Sequence, residues 1–454
     1  MRLFIGGGIL TYLGFLSIVC LLNAFLWGIS QYYGLFRPWF NIDYLLLAVF
    51  FYRSHILNSL ALFISLFVLF FIDILLLILH IFPFIQLNDL LYLSNFFFSA
   101  PALYKLLVYG LFIGFIILFF LMRDIATNKI ILTKYQIGVI LVVFMGLLAL
   151  SELPWASKIF DSRLAFFITH RQASMLEATH GEVVTDLQSD YASKPLLGEI
   201  QNHQLKTNKI LFIVNESWGE TAKPEQQRAI LQPIYQHINH LEYIQQGAFA
   251  TLGATVTGEF RELCQKKLLV MDTKQIPQAS FKQCLPNLLK QQGYSTYSVY
   301  GADKNLYSPD YWYPLAGLDQ RYFVDDLPEG GHCKAFGGRC DVLLVPRIKK
   351  LLLAANKSFV YWMTLNTHAP YDDDLFIKGL DCEALGLKND SHACGNYRLQ
   401  YQFFSALSTL IADPSMHGVE VYVVGDHPPP MAEIRNNLKA FKNNEVAWLH
   451  FKIK

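Results

Sequence analysis

Between Leu3 and Trp27 the chain has no charged residue, and a helix of roughly 20 apolar residues is enough to cross a bilayer. The run is too long for a signal-peptide core, and no small-residue cleavage site leads from it into a polar mature chain. It therefore reads as a retained span. Further apolar runs cover about Arg37 to Tyr52, Ile56 to Ile81, Pro101 to Met122 and Tyr135 to Ser151. The second is the shortest and carries Asp43. Only 16% of the 454 residues are charged, against about a quarter in soluble proteins, and the deficit lies almost wholly in this first third. The expectation is a multi-span α-helical membrane domain of about five helices over 1–151, followed by a soluble domain.

Lys and Arg in the connecting loops set orientation. With five spans, Arg2, Arg53, Arg123, Lys129 and Lys134 fall on one side, and Arg37 stands nearly alone on the other. This puts the N-terminus in the cytoplasm and everything after the fifth span outside. Asp73 lies inside the third span, where an acid is costly unless partnered; the reading here is a hydrogen-bonded partner for another helix. Polar residues lining the spans are too sparse for a transporter. The net charge of +1 comes with no basic stripe, which argues against a nucleic-acid partner.

Cysteine usage points to the same side. Cys20 sits alone in an apolar run, and the other six, Cys264, Cys284, Cys333, Cys340, Cys382 and Cys394, follow the membrane region. An even set in an exported domain favours disulfides. Their order invites three local pairs, although six cysteines allow 15 connectivities. No C-x-x-C spacing supports a thiolate metal site.

Residues 152–205 turn polar, with Lys158, Asp161, Arg163, Arg171, Glu177, Glu182 and Asp186. Phe160, Leu164, Phe167 and Met175 recur at roughly helical spacing, so amphipathic linker helices along the membrane surface are expected there, with a plain connector as the alternative. From 206 to 454 strand and helix signals alternate, as in an α/β domain with a mainly parallel central sheet. Ile210–Val214 is a continuous apolar run, as a buried parallel strand is, and Tyr297–Tyr300, Phe359–Leu365 and Val421–Val424 are further strand candidates. Three of them end in polar residues: Glu216, His368, and Asp426 with His427. In a parallel sheet these ends share one edge, where ligands bind. Glu, Asp and His together suit zinc or manganese. Gly253-Ala254-Thr255-Val256-Thr257-Gly258 offers a hydroxyl near a helix start, read at Glu259–Lys267. There backbone N–H groups suit a phosphate, and a metal can activate the hydroxyl. An ordinary Thr-rich N-cap is the competing reading.

The strand with Glu216, then Gly-Ala-Thr255, Thr-Leu-Asn-Thr-His368-Ala-Pro-Tyr and Gly-Asp426-His427, in that order behind five spans, resembles the membrane-anchored branch of the alkaline phosphatase and sulfatase superfamily. That branch includes lipoteichoic acid synthases, phosphoglycerol transferases and phosphoethanolamine transferases. The resemblance implies a sulfatase-like domain in the periplasm of a bacterial inner-membrane protein. It implies Glu216, Thr255, Asp426 and His427 as ligands of one divalent metal, zinc first and manganese second. It also implies Thr255 as nucleophile, through a phosphothreonine-type intermediate, with Thr257 in reserve. His368 would bind the substrate phosphate or act as general acid. The Glu-Phe after Gly-x-Thr is closer to the lipoteichoic acid synthases, and the external cysteines look more like the phosphoethanolamine transferases. The expected activity moves phosphoethanolamine from a membrane phospholipid to an extracytoplasmic glycan or lipid acceptor. Alternatives are phosphoglycerol transfer from phosphatidylglycerol, a phosphatase or phosphodiesterase on the same site, and an inactive assembly or sensory protein. No Cys or Ser stands in the C/S-x-P-x-R context that arylsulfatases need. Pro428-Pro429-Pro430 replaces the Gly that usually follows Asp-His. Asp303, Tyr307 and Asp310 lie where relatives contact substrate.

Overall fold

The structure, a computed structural model, describes the chain except Met1 and residues 33–34, 52–55, 82–93, 95–101, 129–131, 154, 172–182, 252, 376–378 and 431–438. Arg53, Lys129, Met175, Glu177 and Glu182 lie outside the described residues. The chain divides into two units, 1–83 with 102–176, and 84–101 with 177–454.

In the first unit the apolar runs form α1 (Arg2–Tyr32), α2 (Ile56–Ile81), α3 (Ala102–Asn128) and α4 (Lys134–Ser151). Leu13–Gln31, Ser59–Leu79 and Lys134–Ser151 are long and apolar enough to cross a membrane. These helices are apolar on all sides. Phe15, Val19, Leu22, Leu66 and Phe115 pack inward, while Leu60, Ile64, Phe112, Ile117 and Val142 stay exposed. Exposed apolar faces of this extent are what a lipid surround accommodates.

The run expected as the second span is instead a 3-10 helix, Ile42–Phe51. Phe40–Asn41 at its start pairs in parallel with Phe160–Asp161, just beyond α4. At its far end the Phe51 carbonyl accepts the N–H of Leu132, just before α4. Ten residues at the 3-10 rise of about 2.0 Å thus run antiparallel to α4 from one end to the other. Contacts of Phe63 with Phe119 and of Phe70 with Phe115 make α2 and α3 antiparallel. The α1 end of Asn23 meets Asn41, whose N–H donates to Asn23 Oδ1. Five successive segments therefore alternate in direction.

Asp73 is fully buried and paired. Arg37 Nε and Nη2 reach its two oxygens at 3.0 and 2.7 Å. Asn41 Nδ2 (3.1 Å) and Tyr44 OH (3.3 Å) donate to Oδ2, and Arg163 Nε lies 3.7 Å from Oδ1. Asp43, the acid of the short run, accepts from Ser162 Oγ at 2.5 Å and from the Leu164 N–H at 2.8 Å. It thereby ties the start of the short helix Arg163–Phe166 to the bundle. In the region expected as linker helices, that piece continues as a π turn, Phe167–Arg171, and a separate helix covers Lys194–Gln201.

The second unit is built on a mixed sheet. Its strands are β1 (Lys209–Asn215), β2 (Gly219–Thr221), β3 (Leu241–Ala250), β4 (Ser295–Tyr300), β5 (Gln320–Tyr322), β6 (Ser358–Met363), β7 (Glu420–Gly425) and β8 (Phe441–Ile453). The order is β2-β8-β7-β1-β6-β4-β5, with β3 also on β8. From β7 to β5 all neighbours are parallel, whereas β8 is antiparallel to β7, β2 and β3. The four strands expected from the sequence form this parallel core together with β5, while β2, β3, β5 and β8 were not expected. Residues of β1 alternate between two buried faces. Leu211 and Ile213 pack with Ile230, Ile348 and Phe403 in one core, and Phe212 stacks on Tyr422 on the other face. Burial on both faces explains the uninterrupted apolar runs. Three disulfides join Cys264–Cys284, Cys333–Cys340 and Cys382–Cys394, and Cys20 is free.

Removing one partner from a buried ion pair leaves an uncompensated charge and costs about 3–5 kcal/mol. Asp73→Ala, which strands Arg37, is expected to lower the thermal unfolding midpoint of the detergent-solubilised protein clearly. An unchanged midpoint would show that water reaches this network.

Candidate metal centre and active site

The carboxyl edge of the parallel core carries the four residues singled out from the sequence. Glu216 follows β1, Asp426 and His427 follow β7, and Thr255 opens α5 (Thr255–Cys264). Thr255 Oγ1 donates to Glu216 Oε2 at 3.2 Å and lies 3.5 Å from His427 Nε2. His427 Nε2 lies 3.2 Å from Asp426 Oδ2 and 3.5 Å from Glu216 Oε1. All four residues are buried. Ligand atoms of Glu216, Asp426 and His427 sit within 4.8 Å of one another.

The hydrogen bonds around the cluster decide its chemistry. His427 Nδ1 lies 2.9 Å from the Pro428 carbonyl. A carbonyl only accepts, so the ring proton sits on Nδ1 and Nε2 presents a lone pair to the carboxylates. Asp426 Oδ2 is buried without a hydrogen-bond partner. Two carboxylates and a lone pair thus converge, with Asp426 Oδ2 and His427 Nε2 facing each other at 3.2 Å and no proton donated between them. A divalent cation fits this donor set, and the backbone carbonyl behind His427 is the kind of support that fixes a ligating imidazole. Burial first, and then the Asp426 charge, push the Glu216 carboxyl well above its usual range.

Helix α5 begins at Thr255, four residues earlier than expected. Thr255 does not cap it; the residue before the helix is Ala254, which makes no side-chain cap. The N-cap reading of this threonine therefore fails, and its hydroxyl is turned toward Glu216. Thr257 Oγ1 donates to the Ala254 carbonyl at 2.6 Å, so the reserve nucleophile is spent on the backbone. Gly258 lets α5 come this close: a Cβ there would stand 2.7 Å from Asp426 Cα.

Several positioning residues were not read from the sequence. Ser217, at φ +53°, donates from Oγ to Glu216 Oε1 and from N–H to Asp426 Oδ1, both at 2.7 Å. Such non-glycine backbone outliers concentrate at functional sites. The Glu216 N–H donates to Thr364 Oγ1 (2.8 Å), and its carbonyl accepts from Gln400 Nε2 (3.1 Å) and Thr367 Oγ1. Arg261 holds the strand tip, donating to the Gly425 carbonyl at 2.6 Å and the Asp426 carbonyl at 3.0 Å. Apart from the Ser217–Glu216 contact between neighbours, these bonds join residues more than a hundred positions apart, so no local pattern marks them.

His368 is half-buried at the rim of the site. Its Nδ1 lies 2.5 Å from the Ala369 carbonyl, so Nε2 carries the lone pair. Burial lowers its pKa to about 4, which makes the ring a proton acceptor near neutrality. Asp303 accepts from Asn305 within its own turn, and Asp310 lies exposed in the first turn of the helix Pro309–Ala316. Neither joins the group of three potential ligands found among the described residues. Tyr307, at φ +59°, accepts from Thr273 Oγ1 through its carbonyl at 3.2 Å.

A mixed sheet with this carboxyl-edge cluster defines a sulfatase-like α/β domain. Residues 249–380, which contain Thr255 and His368, match the Sulfatase family model. No curated protein sequence matches the chain. Solved structures similar to it include the lipoteichoic acid synthase LtaP from Listeria monocytogenes, at 15% identity and TM-score 0.40, covering 54% of this chain and 65% of that one. The C-terminal periplasmic domain of EptC from Escherichia coli, in complex with Zn, aligns at 13% identity and TM-score 0.38 over 55% of this chain and 74% of that one. The integral membrane lipooligosaccharide phosphoethanolamine transferase A from Neisseria meningitidis aligns at 12% identity and TM-score 0.41 over 76% and 68%. The chain thus spans a little under two thirds of the Listeria structure.

Two outcomes are expected. The purified protein binds roughly one zinc ion per chain; His427→Ala abolishes this. Arg261→Ala, which removes no ligand atom, weakens it about 10–100-fold, as read by competition with a metallochromic chelator. Equal affinity for Arg261→Ala and the native chain would show that the strand tip holds itself. The second outcome concerns Glu259, buried under the hydroxyls of Tyr313 and Tyr361 and raised by burial from 4.5 to about 7. Its folded pKa exceeds the unfolded one, so its contribution is fully present below the unfolded value and is lost as pH rises through about 7. Glu259→Gln should match the native unfolding free energy near about pH 5 and exceed it near about pH 8, by up to about 3 kcal/mol. Parallel pH profiles would place the carboxylate in water.

Proposed function

We propose that this chain is a metal-dependent phosphotransferase. It moves phosphoethanolamine from a membrane phospholipid to an extracytoplasmic glycan or lipid acceptor through a phosphothreonine on Thr255. The observation that carries the reading is the buried Thr255 hydroxyl beside Glu216 and the lone pair of His427, which themselves cluster with Asp426.

Glu216, Asp426, His427 and Thr255 Oγ1 would hold the cation. When bound, a divalent ion would neutralise the carboxylates and lower the pKa of the Thr255 hydroxyl. Thr255 Oγ1 attacks the donor phosphorus; the Oγ–P bond forms and the P–O bond to diacylglycerol breaks, with the hydroxyl proton passing to the leaving oxygen. In the second step His368 Nε2 takes the proton of the acceptor hydroxyl; the acceptor oxygen–P bond forms, the Oγ–P bond breaks, and the proton passes from His368 to Thr255 Oγ1, restoring both groups. This assigns His368 the part of a base rather than that of a phosphate-binding donor or general acid, because its only ring N–H is already given to Ala369. The N-terminus of α5, at Thr255 and Val256, would face the phosphate.

The five alternating segments of the first unit support an N-terminus in the cytoplasm of a bacterial inner membrane and a periplasmic catalytic domain, joined through residues 152–205. Arg2, Arg123 and Lys134 then fall on the cytoplasmic side. The three disulfides agree with an oxidising compartment.

The test is intact mass after incubating the zinc-loaded protein with phosphatidylethanolamine or phosphatidylglycerol vesicles. A mass gain of one phosphoethanolamine unit, absent in Thr255→Ala, is expected. A phosphoglycerol unit instead would reassign the donor. Zinc bound with neither adduct nor diacylglycerol release would reject the transferase, and release of free phosphoethanolamine without acceptor would favour a phosphodiesterase.

A further inference from the structure

The loop closed by the Cys333–Cys340 disulfide sets an aromatic ring on His368. The Phe336 and His368 rings lie 4.7 Å apart, inclined by 47°. Phe336 occupies left-handed backbone at φ 50° and ψ 19°, a region hostile to a bulky side chain. The next two residues are glycines, and Gly337 itself takes φ +63°. The side chain is 37% exposed, so it is not retained as a core residue.

The loop around it is fastened on both sides. Asp341 Oδ2 accepts the N–H groups of Leu365 (2.8 Å) and Asn366 (2.7 Å), which bear the turn leading to His368. The Lys334 N–H donates to Asp372 Oδ2 at 2.6 Å. A Cβ on Gly338 would stand 2.2 Å from Leu365 Cδ2, so the loop lies flush against this turn. The fastening fixes where the Phe336 ring projects: onto the imidazole, and otherwise into the open rim.

We infer that Phe336 is a specificity-determining residue of the site, forming the apolar wall that receives the organic group esterified to the phosphate. This rests on the phosphoester reading given above. An aromatic face accepts alkyl C–H groups and, more strongly, an ammonium group, whereas inorganic phosphate presents neither. The ring also holds one face of His368, so the ester group and the proton-accepting Nε2 meet in one place.

The experiment is calorimetric titration of the zinc-loaded full chain in detergent with inorganic phosphate, sn-glycerol 3-phosphate and O-phosphorylethanolamine. The native protein is expected to bind the esters about five- to tenfold more tightly than phosphate. Phe336→Gly relieves the backbone and should keep or raise the melting temperature. It should hold phosphate within about twofold and lose the preference for esters. Phe336→Leu, which keeps an apolar side chain, should retain the alkyl part of the preference and lose the extra gain for the ammonium ester. Persistence of the full ester preference in both variants, with phosphate bound, overturns the role of Phe336 alone. Failure of the zinc-loaded native protein to bind phosphate at all overturns the phosphoester reading, and this inference with it.

Discussion

Glu216, Asp426 and His427 bring two carboxylates and one imidazole lone pair into a shared buried volume, and most of the catalytic domain exists to keep them there. Bringing like charges together out of water is unfavourable without a counter-charge. The neighbouring structure therefore has to hold this arrangement rather than merely allow it. β1 and β7 are adjacent parallel strands in register from Ile210 with Glu420 to Asn215 with Gly425, so the residues following each strand emerge side by side. Arg261 grips the carbonyls of Gly425 and Asp426 from α5, which couples the helix that begins at Thr255 to the strand tip carrying the ligands. One guanidinium thus fixes Thr255 relative to Asp426 and His427.

The membrane unit meets the same electrostatic problem and resolves it internally. Arg37, Asp73, Arg163 and Asp43 balance in formal charge, and Asn23, Asn41, Tyr44 and Ser162 supply neutral hydrogen bonds around them. A charge within an apolar bundle is tolerated when it is paired in this way. Here the pairing also ties the segment that leaves α4 to the beginning of the 3-10 helix. The acids in the second and third apolar runs, which look anomalous as isolated letters, are the two ends of one internal brace.

Much of this was legible in the chain because it is local. Continuous apolar runs ending in Glu216, His368 and Asp426-His427 announce parallel strands with chemistry at their carboxyl ends, and the cysteine order matches the three short loops that close. What was not legible depends on distance in sequence. β8 alternates irregularly, since Lys442, Asn443, Asn444 and Glu445 interrupt its first half; only its pairing with β7 and β3 makes it a strand. The start of α5 was misplaced because Thr255 was read as a possible cap, whereas Glu216, 39 residues away, claims its hydroxyl. Ser217 and Arg261 carry no motif at all. The run around Asp43 was legible as apolar but not as a 3-10 helix, because that choice follows from the length it must cover beside α4.

Pro428 shows how a departure from a family pattern can be read physically. Proline after Asp-His removes a backbone donor from the loop, which would harm a site that used this N–H on substrate. It leaves the carbonyl, and that carbonyl receives the Nδ1 proton of His427. Proline also restricts the residue before it to extended backbone, which limits His427 itself. The proline therefore leaves intact the carbonyl that sets the His427 tautomer, while withdrawing one backbone donor. On the proposed function, phosphate recognition would then fall to the N-terminus of α5 and to the rim where His368 and Phe336 stand, a different loop from the one that carries Asp426 and His427.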